Sequence, residues 1–302
     1  MKETAGASKI TLLDGGMGRQ LLRMGAPFRQ PEWSALALME APHFVRQAHE
    51  AFAAAGSDVL TTNSYAIVPF HIGEERFAKN GNALAALSGH LASEAAATYG
   101  CRVAGSLPPV FGSYRPDLFL PSQAQVLLRV LIDALDPHVD LWLAETLGSI
   151  AEAEAVGAAL IGDDRPSWFA YTLLDGDAPQ GNVSCLRSGE RVIDAVRCAA
   201  ELGAGAILFN CSQPEVMALA IETALGELSR LGIELPVGAY ANAFAALQKN
   251  AEANSTIHEI RSDLDPTGYL AFADDWRRRG ATIIGGCCGV GPEHISALRS
   301  LL

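Results

Sequence analysis

Short runs rich in valine, isoleucine and leucine alternate with alanine-rich stretches of helical period from one end of this chain to the other, which restricts the fold to a parallel α/β architecture. Strands are expected at Ile10–Leu13, Val59–Thr62, Val103–Ser106, Val139–Ala144, Trp168–Leu173, Ala206–Asn210, Val237–Tyr240 and Thr282–Gly285. Helices fit between them at Pro42–Ala55, Leu84–Thr98, Ser122–Leu135, Ser149–Leu160, Gly189–Leu202, Pro214–Leu231, Thr267–Arg279 and Pro292–Leu301. Pro42, Pro214 and Pro292 suit first-turn positions, where the missing N–H costs nothing. An eightfold alternation within 302 residues predicts a (β/α)8 TIM barrel, with an open doubly wound sheet as the alternative. No low-complexity linker or composition break divides the chain, so residues 1–302 read as one domain. Residues 70–81 and 241–266 are long for βα connections and are expected to cover the active face of the barrel.

Hydrophobic residues make up 49% of the chain and charged residues 19%, which suits a globular protein with a large core. The net charge of -12 disfavours nucleic acid and anionic membranes, since both would repel it, and leaves small molecules as the expected partners. No run approaches the ~18 consecutive apolar residues of a membrane span, and Met1–Gly6 lacks the apolar core of a secretory signal. The expected location is therefore the cytoplasm, where thiols stay reduced and six cysteines read as metal ligands or packing groups rather than disulfides. Cys101, Cys185 and Cys198 read as packing or surface residues.

The other three cysteines stand where apolar runs end. Cys287 and Cys288 lie in Ile283-Ile284-Gly285-Gly286-Cys287-Cys288-Gly289, and Cys211 lies in Ile207-Leu208-Phe209-Asn210-Cys211-Ser212. Adjacent cysteines on a regular strand face opposite ways, but the flanking glycines free the backbone to turn both sulfurs toward one point. Three thiolates with one open position describe a catalytic zinc site, because structural zinc is usually closed by four protein ligands. A substrate thiol suits the open position, since coordination removes its proton at neutral pH.

Barrel chemistry takes place at the C-terminal mouth, and the other expected strand ends are polar there as well. They carry Asp14-Gly15-Gly16, Thr62-Asn63-Ser64-Tyr65, Glu145-Thr146, Asn210, Tyr240 and Asn242. Asp14 and Glu145 have the chemistry to grip an ammonium group, and the Gly15-Gly16 amides can receive a carboxylate. An amino-acid thiol satisfies both. Trp33 and Tyr65 offer aromatic faces to a cationic methyl donor. A barrel hydrolase would need histidine and carboxylate ligands, and the seven histidines form no pair at an expected strand end. A metal-storage or redox-sensing protein accounts for the cysteines but not for the polar ends of strands one, two and four.

Taken together, Leu13-Asp14-Gly15-Gly16, Pro31-Glu32-Trp33-Ser34, Ala55-Gly56-Ser57-Asp58, Thr61-Thr62-Asn63-Ser64-Tyr65, Val103-Ala104-Gly105-Ser106, Ala144-Glu145-Thr146-Leu147, Phe209-Asn210-Cys211 and the Gly-Gly-Cys-Cys-Gly segment resemble the homocysteine S-methyltransferase family. The resemblance spans nearly the whole chain. It implies a zinc ion on Cys211, Cys287 and Cys288, with Asp14, Gly15 and Glu145 holding the amino-acid end of homocysteine. Thr62, Asn63, Tyr65, Asn210 and Trp33 complete the expected substrate-binding set, and Asp14 and Glu145 are the expected catalytic carboxylates. The implied reaction is attack of the homocysteine thiolate on the methyl carbon of an onium donor, giving methionine. Expected donors are S-methylmethionine, then S-adenosylmethionine or betaine; the alternative is a homocysteine-binding subunit that needs a partner protein as methyl donor. The chain departs from the family pattern at Ser106-Leu107-Pro108-Pro109, where relatives commonly have Gly-Pro, and at Tyr240-Ala241-Asn242-Ala243-Phe244, which lacks the usual Ser-Gly-Glu.

Overall fold

The computed structural model describes residues 10–176, 183–245 and 259–301. Eight parallel strands form one sheet: β1 (Thr11–Leu12), β2 (Val59–Thr61), β3 (Arg102–Leu107), β4 (Leu141–Leu147), β5 (Ser167–Tyr171), β6 (Ala206–Asn210), β7 (Val237–Tyr240) and β8 (Ile283–Ile284). Their order is β1-β8-β7-β6-β5-β4-β3-β2. A parallel bridge between Leu13 and Val59 brings the two ends of that order together. Across the same seam the Asp58 amide donates to the Leu12 carbonyl at 2.7 Å, and the Asp58 carboxylate accepts the Leu12 amide at 2.8 Å. The protein is a single-domain TIM barrel, as the alternation predicts.

Side chains alternate across the barrel wall with the period of two that pleated strands impose. Leu13, Val59, Ala104, Leu141, Leu143, Trp168, Ala170, Ala206, Leu208 and Ile283 fill the interior, with Tyr240 and Cys287 packed against them. Residues between these on the same strands, such as Phe169, Ile207 and Phe209, enter a second core beneath the helices.

The helices are α1 (Met17–Arg23), α2 (Ser34–Glu40), α3 (Pro42–Ala54), α4 (Pro69–Ile72), α5 (Glu74–Tyr99), α6 (Pro121–Leu135), α7 (Ile150–Ala159), α8 (Val192–Glu201), α9 (Pro214–Leu231), α10 (Pro266–Arg278) and α11 (Pro292–Leu301). Among the described residues no helix is long and apolar enough to cross a membrane. Pro42, Pro214 and Pro292 open their helices as expected.

One expectation needs correction. Residues 70–81 are not a long covering loop, because α5 starts ten residues before the expected Leu84. Gly73, at φ 82°, separates α4 from α5, and Glu74 and Glu75 complement the helix N-terminus. Gly81 lies within α5, where a Cβ atom would come within 3.0 Å of the Phe77 ring. The mouth is covered instead by the connection from β1 to α3, where residues 24–33 run between two seven-residue helices too short to show a period. Part of the other long connection, residues 246–258, lies outside the described residues.

Arg299 on α11 pins the opposite end of the barrel. It donates to the Gly56 carbonyl through Nε at 2.8 Å and through Nη2, and it pairs with Asp58 at 2.8 Å. Arg299→Ala is expected to lower stability by about 1–2 kcal/mol through loss of these charged hydrogen bonds. Denaturant titration checks the loss; substrate KM should stay constant because the mouth is at the other end.

Candidate active site

Cys211 directly follows β6, and Cys287 and Cys288 follow β8 by two residues. The ligand atoms of all three lie within 4.8 Å of one another, and they form the metal-competent cluster found among the described residues. The Cys287 amide donates to Ala241 at 2.9 Å, and the Ala243 amide donates to the Cys288 carbonyl at 2.8 Å, so the cysteine loop is zipped to the segment after β7. The Tyr269 hydroxyl donates to the Gly285 carbonyl at 2.8 Å from the other side. The glycines act mostly through size rather than through backbone freedom. A Cβ at Gly286 would strike Val290 at 2.0 Å, and one at Gly285 would strike Leu13 at 2.5 Å; Gly289 adopts φ 91°.

The donor set suits a soft tetrahedral ion. A sulfur–metal distance of ~2.3 Å gives tetrahedral S···S edges near ~3.8 Å. The Cys211–Cys288 separation is 3.8 Å, whereas Cys211 and Cys287 are 2.6 Å apart and must open to the same edge to share an ion. Hydrogen bonds from Cys211 and then Cys287 hold the Cys288 thiol well below its ordinary value, while the thiols of Cys211 and Cys287 are pushed up in the same cluster.

The cysteines face a cavity of about 150 Å³ whose wall also contains Asp14, Gly15, Trp33, Thr62, Asn63, Tyr65 and Glu145. Asp14 and Glu145 are both buried. Asp14 accepts the Thr61 amide at 2.7 Å and the Thr61 hydroxyl at 2.9 Å. Burial lifts its carboxyl to about 7 against the lowering effect of those bonds, and the neighbouring Glu145 adds to the rise. Glu145 accepts the Ser106 hydroxyl at 2.5 Å and the Tyr240 hydroxyl at 3.3 Å. Burial lifts it to about 7 as well, opposed by Ser106. Among the described residues neither of these buried carboxyls has a cationic partner.

Two expected roles are placed differently. The Gly16 amide donates to Val290 at 2.9 Å and is spent; a Cβ at Gly16 would meet the Cys287 carbonyl at 2.5 Å, so this glycine fits the cysteine loop against β1. Asn210 is fully buried and is not part of the cavity wall. Its amide faces Thr146 instead, at 2.9 Å in both directions.

Sequence reasoning missed Tyr114, Ser113, Arg19, Phe28 and Gln30, all of which line the cavity. Tyr65 and Ser113 share a hydrogen bond of 2.5 Å, and the Tyr114 hydroxyl donates to the Cys211 carbonyl at 3.3 Å. An aromatic residue just past Gly112 on the β3–α6 connection was the available signal. Phe244, within one of the two departures from the family pattern, also lines the cavity and lies 5.4 Å below the Arg19 guanidinium. No histidine does. The described non-glycine residues with positive φ are Trp33 at 50°, Tyr114 at 65°, Thr146 at 62° and Cys211 at 52°, and each of them borders this cavity. Such conformations cost of order 1–3 kcal/mol each and persist only where the surroundings enforce them.

Comparisons with known proteins lead to the same place. Residues 11–302 match the sequence model of the homocysteine S-methyltransferase family. The chain is 30% identical over 323 residues to the homocysteine S-methyltransferase of Escherichia coli strain K12, covering 96% of this chain and 94% of that protein. It is 26% identical over 334 residues to a selenocysteine methyltransferase of Astragalus bisulcatus, covering 98% and 93%. Among solved structures, the metallated form of the Escherichia coli homocysteine methyltransferase MmuM superposes with a TM-score of 0.76 at 27% identity, over 97% of this chain and 96% of that one. With the three-cysteine cluster and the paired carboxyls at the same barrel mouth, the chain is a methyltransferase and belongs to the homocysteine S-methyltransferase family.

Proposed function

We propose that this enzyme transfers a methyl group from a small onium donor to the thiol of homocysteine, with zinc on Cys211, Cys287 and Cys288, to give methionine. The observation that carries the reading is one cavity walled by three convergent thiols and by two buried carboxyls. Bound there, zinc would take the substrate sulfur as its fourth ligand and lower the thiol pKa, making a thiolate available at neutral pH. In this reading Asp14 and Glu145 receive the substrate ammonium, and the Gly15 amide receives its carboxylate. Trp33, Tyr65 and Tyr114 supply aromatic faces for the donor cation and exclude water, so much of the rate enhancement comes from contact held between sulfur and methyl carbon. S-methylmethionine is the first donor this reading names, followed by S-adenosylmethionine and betaine.

Methionine formation by zinc-loaded protein, assayed with homocysteine against each donor in parallel, tests it. Turnover with one of them is the expected result, and a selenol acceptor in a matched arm measures how far the site accepts the heavier atom. No product with any donor, together with no stabilisation by homocysteine, would overturn the reading.

The raised carboxyls give a pH dependence with a definite sign. Below about pH 7 the empty site holds Asp14 and Glu145 protonated, and ammonium binding must first remove those protons. Affinity for methionine, which has no ionisable thiol, should fall about tenfold per pH unit below 7 for each carboxyl that must ionise. Stability of the empty enzyme follows the linked rule. The folded-state values lie above the unfolded ones, so stability falls as pH rises from about 4 to about 7 and is level beyond. Calorimetric binding of methionine from pH 5.5 to 8.5 checks the first statement, and melting curves check the second; methionine affinity that does not change with pH would remove the ammonium role.

A further inference from the structure

A buried polar pair joins the two halves of the site: Thr146, which borders the cavity, and Asn210, which does not. At the end of β4 the register with β5 shifts between Ala144 and Leu147, and Thr146 sits within the shift at φ 62°. Glu145, its neighbour, continues the inward alternation of Leu141 and Leu143 and reaches the cavity immediately before that irregular step. A β-branched residue in that conformation needs an external restraint. Asn210 provides one: its Oδ1 accepts the Thr146 amide at 2.9 Å, and its Nδ2 donates to the Thr146 hydroxyl at 2.9 Å. Both hydrogen bonds are fully buried. The residue that follows Asn210 is Cys211, itself at φ 52°, with its carbonyl fixed from the far side by Tyr114. One side-chain amide therefore sits between the residue beside a substrate carboxylate and the residue that carries a thiol ligand.

We propose that Asn210 is a positioning residue whose bidentate amide clamp on Thr146 sets Glu145 and Cys211 in mutual register, so that the amino-acid end and the thiol end of one substrate are placed together. This rests on the methyl-transfer reading and assigns Asn210 to the frame around the site rather than to the substrate. The consequence is joint loss: releasing the clamp weakens homocysteine binding and metal binding at once, although Asn210 touches neither.

Three variants test it: Asn210→Ala, Thr146→Val and Thr146→Ser. The probes are homocysteine kinetics on zinc-loaded protein and titration of metal-free protein with cobalt(II), followed by the thiolate-to-cobalt absorption. Asn210→Ala is expected to raise homocysteine KM about 10- to 100-fold and to weaken cobalt(II) binding by a comparable factor, the range seen when groups that orient ligands are removed. Thr146→Val keeps the branched shape but removes one of the two hydrogen bonds, and it should move both readouts in the same direction by less. Thr146→Ser keeps the hydroxyl and should match wild type. A folded Asn210→Ala protein with both constants within about twofold of wild type would refute the clamp, because a merely structural amide lowers the melting temperature without moving KM or the cobalt spectrum. If Asn210→Ala does not fold, an unchanged Thr146→Val protein refutes it equally. Wild-type protein that forms no methionine counts against the methyl-transfer reading; wild-type turnover alongside indifferent variants counts against the clamp alone.

Discussion

Alanine at any one of Cys211, Cys287 or Cys288 is expected to give a folded barrel that no longer retains metal and has lost methyl transfer by about 1000-fold or more, roughly 4 kcal/mol of transition-state stabilisation. The donor set has no reserve. Among the described residues the cluster consists of three thiols and no histidine lines the cavity, and two sulfurs are too few to hold a tetrahedral ion against water. Folding should survive, because the cysteine loop is held by backbone hydrogen bonds from Ala243 and to Ala241, with Tyr269 bonded to Gly285. Metal content per chain, measured beside the far-ultraviolet dichroism and melting curve of each variant, separates loss of the ion from loss of the fold. A single-alanine variant that keeps one metal per chain and full turnover would remove that cysteine from the ligand set.

Glu145→Gln is the second large effect, and it should appear in substrate binding rather than in folding. The amide keeps the size of the carboxyl and can still accept the Ser106 hydroxyl and meet the Tyr240 hydroxyl, so the local packing is retained. The charge that an ammonium group needs is gone. Homocysteine KM should rise about 30-fold, close to the ~2 kcal/mol carried by a buried charge-assisted hydrogen bond. Metal content should not change. The fall in methionine affinity below pH 7 should also become shallower, because one titrating carboxyl has been removed. Unaltered homocysteine kinetics in a stable Glu145→Gln enzyme would place the ammonium elsewhere.

Much of the frame is legible before folding, because strands and their ends are local properties. β6 and β7 run over the residues that their apolar runs mark, and the other strands differ from expectation by a few residues at their ends. The polar residues that follow those runs reach one cavity because parallel strands in a barrel put every C-terminal end on the same face. Helix α5 was less legible: its first turns are charged and contain Gly81, and burial against neighbouring elements, rather than intrinsic propensity, carries the helix through.

The roles of particular groups were harder to read. Asn210 stands next to a clustered cysteine, which suggests a place in the site, and it shares the inward face of β6 with Ala206 and Leu208, but there its amide is bonded to Thr146 and does not reach the cavity wall. Gly16 reads as a free amide, yet the fold spends that amide on Val290. Tyr114 lies far in sequence from Cys211, Cys287 and Cys288 and reaches Cys211 only through the turn that follows β3.

By itself, the sequence determined the eightfold barrel, the three thiols and the two carboxyls, since hydrophobic period and side-chain chemistry are carried by each segment alone. Only the tertiary structure decided which amides are already bonded, which side chains face the cavity and which residues are held at positive φ, because those depend on where distant strands lie against one another.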